Sequence, residues 1–347
     1  MIAVFLTSLL FTVALIPLLL RSGLAGTSLD QPNHRSLHTE PTPRIGGLAI
    51  MAAVAIALGL SQPQEWPTAL LVIAAGLGAI SFFDDRASLP ATLRLAVHLA
   101  AATLITLIWL NTRSTATGGS AGQMLAWLIT PWGALAMIVV ICWMTNLFNF
   151  MDGANGMAGG MTFIGFGGYA IAAAMLPPHG LIIAVAATAL SGAALGFLVF
   201  NFPVARVFMG DAGSVPIGFL AAAMGIQGSL MGLWPWWFGA LIFSPFIVDA
   251  TATLLKRLLR RKRIWIAHRE HYYQRLVLSG WSHRKTVLSY YFLMLGSTGS
   301  ALAAQNGHLL YPIIGGWVIT YAVLLLYLEW RFHQQKKNPT EESPGAQ

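Results

Sequence analysis

Eleven apolar runs divide this chain, and they constrain its fold more than any other feature of the sequence. An α-helix needs about 20 residues to cross the roughly 30 Å of hydrocarbon in a bilayer, and most of the runs approach that length. The chain is 56% hydrophobic and only 9% charged, whereas soluble globular proteins carry about 25% charged residues. We therefore predict an all-α, polytopic membrane protein with about 11 transmembrane helices. The runs are 1–20, 45–61, 66–83, 92–110, 133–150, 157–176, 180–200, 213–230, 236–255, 286–305 and 309–330.

The two ends of the chain differ in character. The first run has no basic start and no small-x-small cleavage pattern before Arg21, so we interpret it as a retained span rather than a signal peptide. We assign residues 1–330 to a single integral-membrane domain, and we predict that the polar tail 331–347 is cytoplasmic and disordered. The lone Cys142 excludes a disulfide framework within the chain.

The positions of Lys and Arg predict the orientation of the spans. Nineteen of the 20 basic residues lie in loops or tails that eleven spans would place on one side, and the exception is Arg113. The positive-inside rule puts these loops and the C-terminus in the cytoplasm, and the N-terminus outside. Much of the net charge of +8 lies at 256–263, beside a span. Membrane lipids with anionic headgroups, rather than nucleic acid, are therefore the expected partner of this charge.

Carboxylates gather at the cytoplasmic ends of the spans. Asp84 and Asp85 follow the third run, while Asp152 and Asp211 lie at the ends of later runs. One such carboxylate could merely cap a helix, but ionisable groups at membrane depth usually mark a function. Mg²⁺ typically binds one or two carboxylates together with phosphate oxygens. The pattern predicts an active site at the cytoplasmic face. Asp249 lies inside the ninth run, and its role could be structural or catalytic.

The most specific polar motif is the segment 146–156, which contains Asn146, Asn149, Asp152 and Asn155. Gly153 and Gly156 flank its polar residues, which indicates a tight turn whose backbone can approach a ligand closely. The amides could pair with a base or a ribose, and the carboxylate could face a metal ion.

A second motif, 208–214, opens the eighth run. Its glycines and Ser214 at a helix N-terminus predict an anion site, because free amides and the helix dipole point at the ligand. Asp211 suits that position only if a cation accompanies the anion. Phe208 could stack on a nucleobase, with Asn201 nearby.

In each of two pairs of basic residues, the members are four positions apart, as is typical of residues on one helix face. His271 and Arg275 could reach a phosphate, although an interfacial basic-aromatic helix would look similar. Arg94 and His98 could meet a lipid phosphate, although Arg94 could simply extend to the interface.

Together, these motifs resemble the polyprenyl-phosphate N-acetylhexosamine-1-phosphate transferases of glycosyltransferase family 4. The first loop, 32–47, is similar to the family's signature ahead of its second span, and the later motifs follow in family order. The resemblance implies transfer of a sugar-1-phosphate from a UDP-N-acetyl-aminosugar to undecaprenyl phosphate, with release of UMP, at the bacterial inner membrane. It also implies Mg²⁺, or Mn²⁺ in its place, as the cofactor, and it leaves a homodimer open.

The resemblance further implies roles for single residues. Asp211 and Asp152 would bind the metal, and Asp84 and Asp85 would position or deprotonate the acceptor phosphate. Phe208 would stack on uracil. The other predicted substrate-binding residues are Asn149, Asn155, Asn201, His271, Arg275 and Arg94.

The chain departs from the family pattern in two places. Asn155 stands where the family commonly has Asp, and Tyr273 and Gln274 stand where it commonly has His. An amide at Asn155 would then recognise uracil, and we interpret Tyr273 and Gln274 as a different sugar pocket. The pattern resembles a subgroup that starts O-antigen chains of lipopolysaccharide.

Three other classes of membrane protein use similar residues. A multi-pass transporter of a lipid or anionic substrate also buries carboxylates, but it predicts inverted repeats that this sequence lacks. A CDP-alcohol phosphotransferase needs more Asp residues at helical spacing, whereas Asp211 is the first Asp after Asp152. An intramembrane aspartyl protease needs two Asp within apposed spans. The transporter is the main alternative.

Overall fold

The computed structural model describes residues 1–32, 40–61, 68–87, 89–112, 126–176, 178, 180–263, 268–305 and 309–337. Residues 33–39 of the first-loop signature, Arg113 and most of the predicted disordered tail lie outside this set. The elements, in chain order, are α1 (Ile2–Arg21), α2 (Gly23–Thr27), β1 (Leu29–Asp30), β2 (Thr42–Pro43), α3 (Gly46–Ser61), α4 (Thr68–Ala87), α5 (Ala91–Thr112), α6 (Pro131–Phe150), α7 (Met157–Ala174), α8 (Leu181–Asn201), α9 (Asp211–Leu230), α10 (Trp237–Ile242), α11 (Ser244–Leu259), α12 (Tyr272–Leu278), α13 (His283–Ala304) and α14 (Leu310–Lys337).

The prediction of an all-α, polytopic membrane protein is confirmed. Within the described residues, nine helices are long and apolar enough to cross a membrane. They are α1, α4, α5, α6, α7, α8, α9, α13 and α14. The two remaining predicted runs are also helical, but α3 has only 16 residues and the run 236–255 is divided between α10 and α11.

The break between α10 and α11 has a local cause. Pro245 has no N–H with which to bond the carbonyl of Leu241 one turn earlier, which weakens the helix at this point. The helix restarts at Ser244, with Pro245 in its first turn, where a missing N–H is tolerated.

The core is formed by α7, α8 and α9, which are buried along most of their length. Helix α1 packs closely on α8 at Gly192 and Gly196. A Cβ at either glycine would lie within 3 Å of a backbone carbonyl oxygen, that of Phe5 or of Leu9. Small residues permit such close helix packing in membranes, where packing contacts hold helices together.

Several helix ends differ from the predicted runs. Helix α4 continues to Ala87, so Asp84 and Asp85 lie in its last turns rather than after it. Helix α14 continues to Lys337, beyond the predicted domain end at 330. These extensions carry charged residues on helices past the apolar runs.

Candidate active site

Backbone hydrogen bonds join the first loop to the loop before α9. The N–H of Phe208 donates to the carbonyl of Pro43 at 2.8 Å, and the N–H of Gly46 donates to the Phe208 carbonyl at 2.9 Å. The N–H of Gly47 donates to the carbonyl of Met209 at 2.8 Å. The first-loop motif therefore lies directly beside the segment that leads into α9.

Glycines allow α3 and α9 to begin against each other. A Cβ on Gly47 would lie within 3 Å of the Cα and N of Gly213, and neither backbone could move away cheaply. Gly210 has φ 72°, in the left-handed region that favours glycine. These constraints place Asp211 at the first position of α9.

The turn at 151–156 is tied to the same loop by Asn201. The side-chain oxygen of Asn201 accepts from the N–H of Gly156 at 2.6 Å, and its amide nitrogen donates to the carbonyl of Val207 at 2.9 Å. Asn201 is only 5% exposed, so it joins two motifs in this structure. Its contact with substrate stays a prediction. Asn155 is half-buried, and it donates to the carbonyl of Pro203 at 3.3 Å.

Three carboxylates converge where these motifs meet. The side chain of Asn149 hydrogen-bonds Asp211, and the Asp152 carboxyl lies close to Asp211 and to the backbone N–H of Gly210. Burial raises the pKa of Asp152 well above its usual value, the charge of Asp211 adds to this, and the Gly210 amide opposes it. The Oδ2 atom of Asp85 is buried without a hydrogen-bond partner, 3.2 Å from the position of a Cβ on Gly210. Such a group of neighbouring, partly buried carboxylates favours a bound cation.

Arg44 is a site residue for which the sequence interpretation gave no role. Its guanidinium lies 2.6 Å from Asp30 and 3.5 Å from the Oδ1 of Asp85, and its charge also reaches Asp211. The signal that could have revealed it was a cation two residues before the Gly46-Gly47 pair, within the first-loop signature.

Asp84 and Arg94 lie to one side of the carboxylates of Asp85, Asp152 and Asp211. Asp84 accepts from the N–H of Leu89 at 2.6 Å, and its other oxygen lies 3.5 Å from the guanidinium of Arg94. A small cavity of about 20 Å³ lies between these residues, Asn149 and Asp211. His98 also lines this cavity, with its Nδ1 3.2 Å from the side-chain oxygen of Asn146.

Phe208 is half-buried in the loop before α9. The backbone bonds to Pro43 and Gly46 hold it near the carboxylates. Stacking on uracil stays a prediction for this ring.

The side chains of His271 and Arg275 have different partners in this structure, although their spacing predicted a shared helix face. His271 precedes the first helical residue of α12, is 3% exposed, and places its Nδ1 3.5 Å from Asp249. Arg275 instead pairs with Glu329 of α14 and lies over the ring of Phe332 at 4.0 Å. The two side chains diverge because the chain enters α12 only at Tyr272. Their contacts with phosphate stay predictions.

The imidazole of His268, which lies beside that of His271, is neutral at pH 7. Burial, with the neighbouring charges of His271 and Arg257, lowers the pKa of His268 to about 4. Its ring stacks on that of His271, with the centroids 4.9 Å apart. His268 therefore adds no positive charge to this region.

Comparisons with known proteins agree with the motifs. The model of glycosyl transferase family 4 matches residues 67–229, a range that contains the four carboxylates Asp84, Asp85, Asp152 and Asp211. The chain is 31% identical over 296 residues to the decaprenyl-phosphate N-acetylglucosaminephosphotransferase of Mycolicibacterium smegmatis, covering 75% of this chain and 71% of that protein.

Two further relatives cover more of the chain. The probable undecaprenyl-phosphate N-acetylglucosaminyl 1-phosphate transferase of Bacillus subtilis is 27% identical over 337 residues, covering 93% of this chain and 88% of its own length. The phospho-N-acetylmuramoyl-pentapeptide-transferase of Halalkalibacterium halodurans is 29% identical over 309 residues, covering 82% and 91%. The similarity therefore extends well beyond the matched family segment.

Proposed function

Because the chain belongs to glycosyl transferase family 4, we propose that it transfers a sugar-1-phosphate from a UDP-N-acetyl-aminosugar to undecaprenyl phosphate and releases UMP. The relatives support this reaction through their names, which specify undecaprenyl or decaprenyl phosphate and N-acetylglucosamine. The observation that carries the proposal is the convergence of Asp85, Asp152 and Asp211 beside Arg44.

Mg²⁺ fits the residues of this centre. The orphaned Oδ2 of Asp85 is a buried acceptor that a cation would satisfy. Among the residues that the structure describes, no three His, Cys, Asp or Glu side chains form a ready metal-ligand group. Mg²⁺ needs no such group, since it usually binds one or two carboxylates and completes its shell with phosphate and water. We propose that Asp152 and Asp211 would hold it, and that Mn²⁺ could replace it. When bound, the ion would offset the charge of the diphosphate.

The side chains around the centre support an in-line phosphoryl transfer. An oxygen of the acceptor phosphate attacks the β-phosphorus of the donor, and the bond from that phosphorus to UMP breaks. Phosphate monoesters have a second pKa near 6, so the acceptor is largely dianionic at neutral pH and needs no strong base. We therefore assign Asp84 and Arg94 to positioning the acceptor, and Arg44 to neutralising charge on the transferred phosphoryl group.

The identity of the sugar belongs to this proposal. We propose a deoxy-aminosugar such as N-acetylfucosamine or N-acetylquinovosamine, and a role in starting O-antigen. The departure from the family's His loop supports this choice, although Tyr273 itself makes a structural contact. Its ring is fully buried and its hydroxyl donates to the carbonyl of Phe150 at 3.0 Å, so it supports the backbone rather than lining a pocket.

The test is a transfer assay with the purified protein, undecaprenyl phosphate and a panel of UDP-aminosugars. With Mg²⁺ present, we expect UMP and a lipid-linked sugar in equal amounts from at least one donor, and we expect EDTA to abolish both. Uptake of substrate into proteoliposomes without any UMP would instead favour the transporter. Full turnover in metal-free buffer would remove the metal from the proposal.

A further inference from the structure

Asp249 is a buried carboxylate that the proposed reaction does not use. It lies on α11, is 3% exposed, and receives bonds from neighbouring elements. Its Oδ1 accepts from the N–H of Tyr272 at 2.8 Å, and its Oδ2 accepts from the N–H of Tyr273 at 3.0 Å. The hydroxyl of Tyr290 on α13 donates to the same Oδ2, and His271 Nδ1 lies 3.5 Å from Oδ1.

The two backbone bonds make Asp249 the cap of another helix. The first amides of a helix have no partner within it, and a carboxylate at that end is stabilised further by the helix dipole. Helix α12 begins at Tyr272, so its first two N–H groups are the ones that Asp249 accepts. Asp249 therefore fixes where α12 begins and how it is oriented.

Helix α12 in turn supports the turn that carries Asp152. The hydroxyl of Tyr273 donates to the carbonyl of Phe150, two residues before Asp152. A Cβ added to Gly153 would collide with that hydroxyl and would lie 3.4 Å from the side-chain nitrogen of Gln274. The turn 151–156 thus packs directly against α12.

We propose that Asp249 is a positioning residue of the active site, which holds Asp152 in place through α12 and the hydroxyl of Tyr273. The inference rests on the proposed function for its kinetic consequence, but the contact chain itself is independent of the substrate. Asp249 would touch neither donor nor acceptor. Its loss should therefore lower kcat and leave both KM values nearly unchanged.

The kinetic test is a double-mutant cycle with Asp249→Asn and Tyr273→Phe. Each single variant should lower kcat by roughly ten- to hundredfold, because small displacements of a reacting group are costly. The double variant should be no slower than the slower single variant, since both changes break one chain of contacts. Tyr321→Phe is the matched control: it removes a partly buried hydroxyl that bonds the hydroxyl of Ser244, the first residue of α11, at 2.6 Å. It should leave kcat unchanged.

A second readout follows the turn without any substrate. Ala154 is 7% exposed, so a cysteine there, in a Cys142→Ser background, should react slowly with a maleimide. Labelling should become at least several-fold faster with Asp249→Asn or Tyr273→Phe, and should not change with Tyr321→Phe. If Asp249→Asn fails to fold, Tyr273→Phe tests the same link from its other end.

The outcomes separate the two proposals. Wild-type protein that transfers no sugar would refute the proposed function, while the labelling rates would still decide the contact chain. Effects on kcat that multiply in the double variant would overturn the inference. Unchanged labelling at position 154 in both single variants would overturn it as well.

Discussion

Asp84 and Asp85 are adjacent in the chain, but their side chains have different environments. Asp84 bonds groups close in the chain, Leu89 and Arg94, whereas Asp85 faces Arg44 and Gly210 from distant segments. Successive helix residues point about 100° apart, so a helical pair of carboxylates cannot face one ligand equally. The sequence predicted both residues as site residues, but it could not separate them, because the partners of Asp85 lie far away in the chain.

The first prediction at this scale concerns Asp211→Asn. The change should abolish turnover while the protein stays folded in the membrane, because loss of a metal ligand costs several kcal/mol of transition-state stabilisation. The measurement is kcat at saturating Mg²⁺, with thermal unfolding as the check on folding. Glu40→Gln is the control, since Glu40 is an exposed acidic residue and should leave kcat unchanged. Turnover like that of the wild type would rule out the metal role.

Arg44 gives the second prediction. Arg44→Gln should lower kcat/KM for the donor by roughly ten- to a thousandfold, because a preorganised charge near the phosphoryl group is lost. Arg44→Lys should recover part of that loss. Asp30→Asn is the control: Asp30 pairs with Arg44 at 2.6 Å, so a loss as large as that of Arg44→Gln would mean that Arg44 serves only to hold its loop.

At the scale of elements, the site depends on how closely two helix starts can approach. Helices α3 and α9 meet at Gly47 and Gly213, and this contact fixes the segment that leads to Asp211. The sequence predicted both helices as apolar runs, and hydrophobicity alone sufficed for that. It could not predict the contact, because the sequence around Gly47 does not indicate which distant segment packs against it.

A third prediction follows from this contact. Gly47→Ala should lower the melting temperature and kcat together, because its Cβ would lie within 3 Å of the Gly213 backbone. Overpacking of this kind typically costs about 1–3 kcal/mol. Gly59→Ala is the control on the same helix, since a Cβ there meets nothing within 4 Å. Equal melting temperatures for the two variants would contradict the close approach.

At the scale of the whole molecule, every predicted run contains a helix. The thickness of the bilayer sets the length of a spanning segment, so such segments can be found by counting apolar residues in the sequence. The roles of Asn201 and Asp249 could not be predicted in this way. Asn201 bonds a backbone N–H 45 residues away, and Asp249 bonds groups 23, 24 and 41 residues away. The sequence does not show such distant partners, so it could not reveal these structural contacts.

The fourth prediction concerns orientation, which the positive-inside rule assigns. In a Cys142→Ser background, a cysteine at Arg206 should react with an impermeant thiol reagent only from the cytoplasmic side. A cysteine at Met231 should react only from outside. Both positions are exposed, and the helix α9 lies between them. Labelling of both from the same side of sealed vesicles would contradict the assignment.

The support of the Asp152 turn by α12 also has a consequence for synthesis. Translation must pass Tyr273 before the last contact beneath the site can form, and Arg44 has by then long left the ribosome. We therefore expect a nascent chain to be much less active than the finished protein while most of its helices are already in the bilayer. Truncated translation products should insert but consume little carrier lipid, which would couple full activity to synthesis of α12.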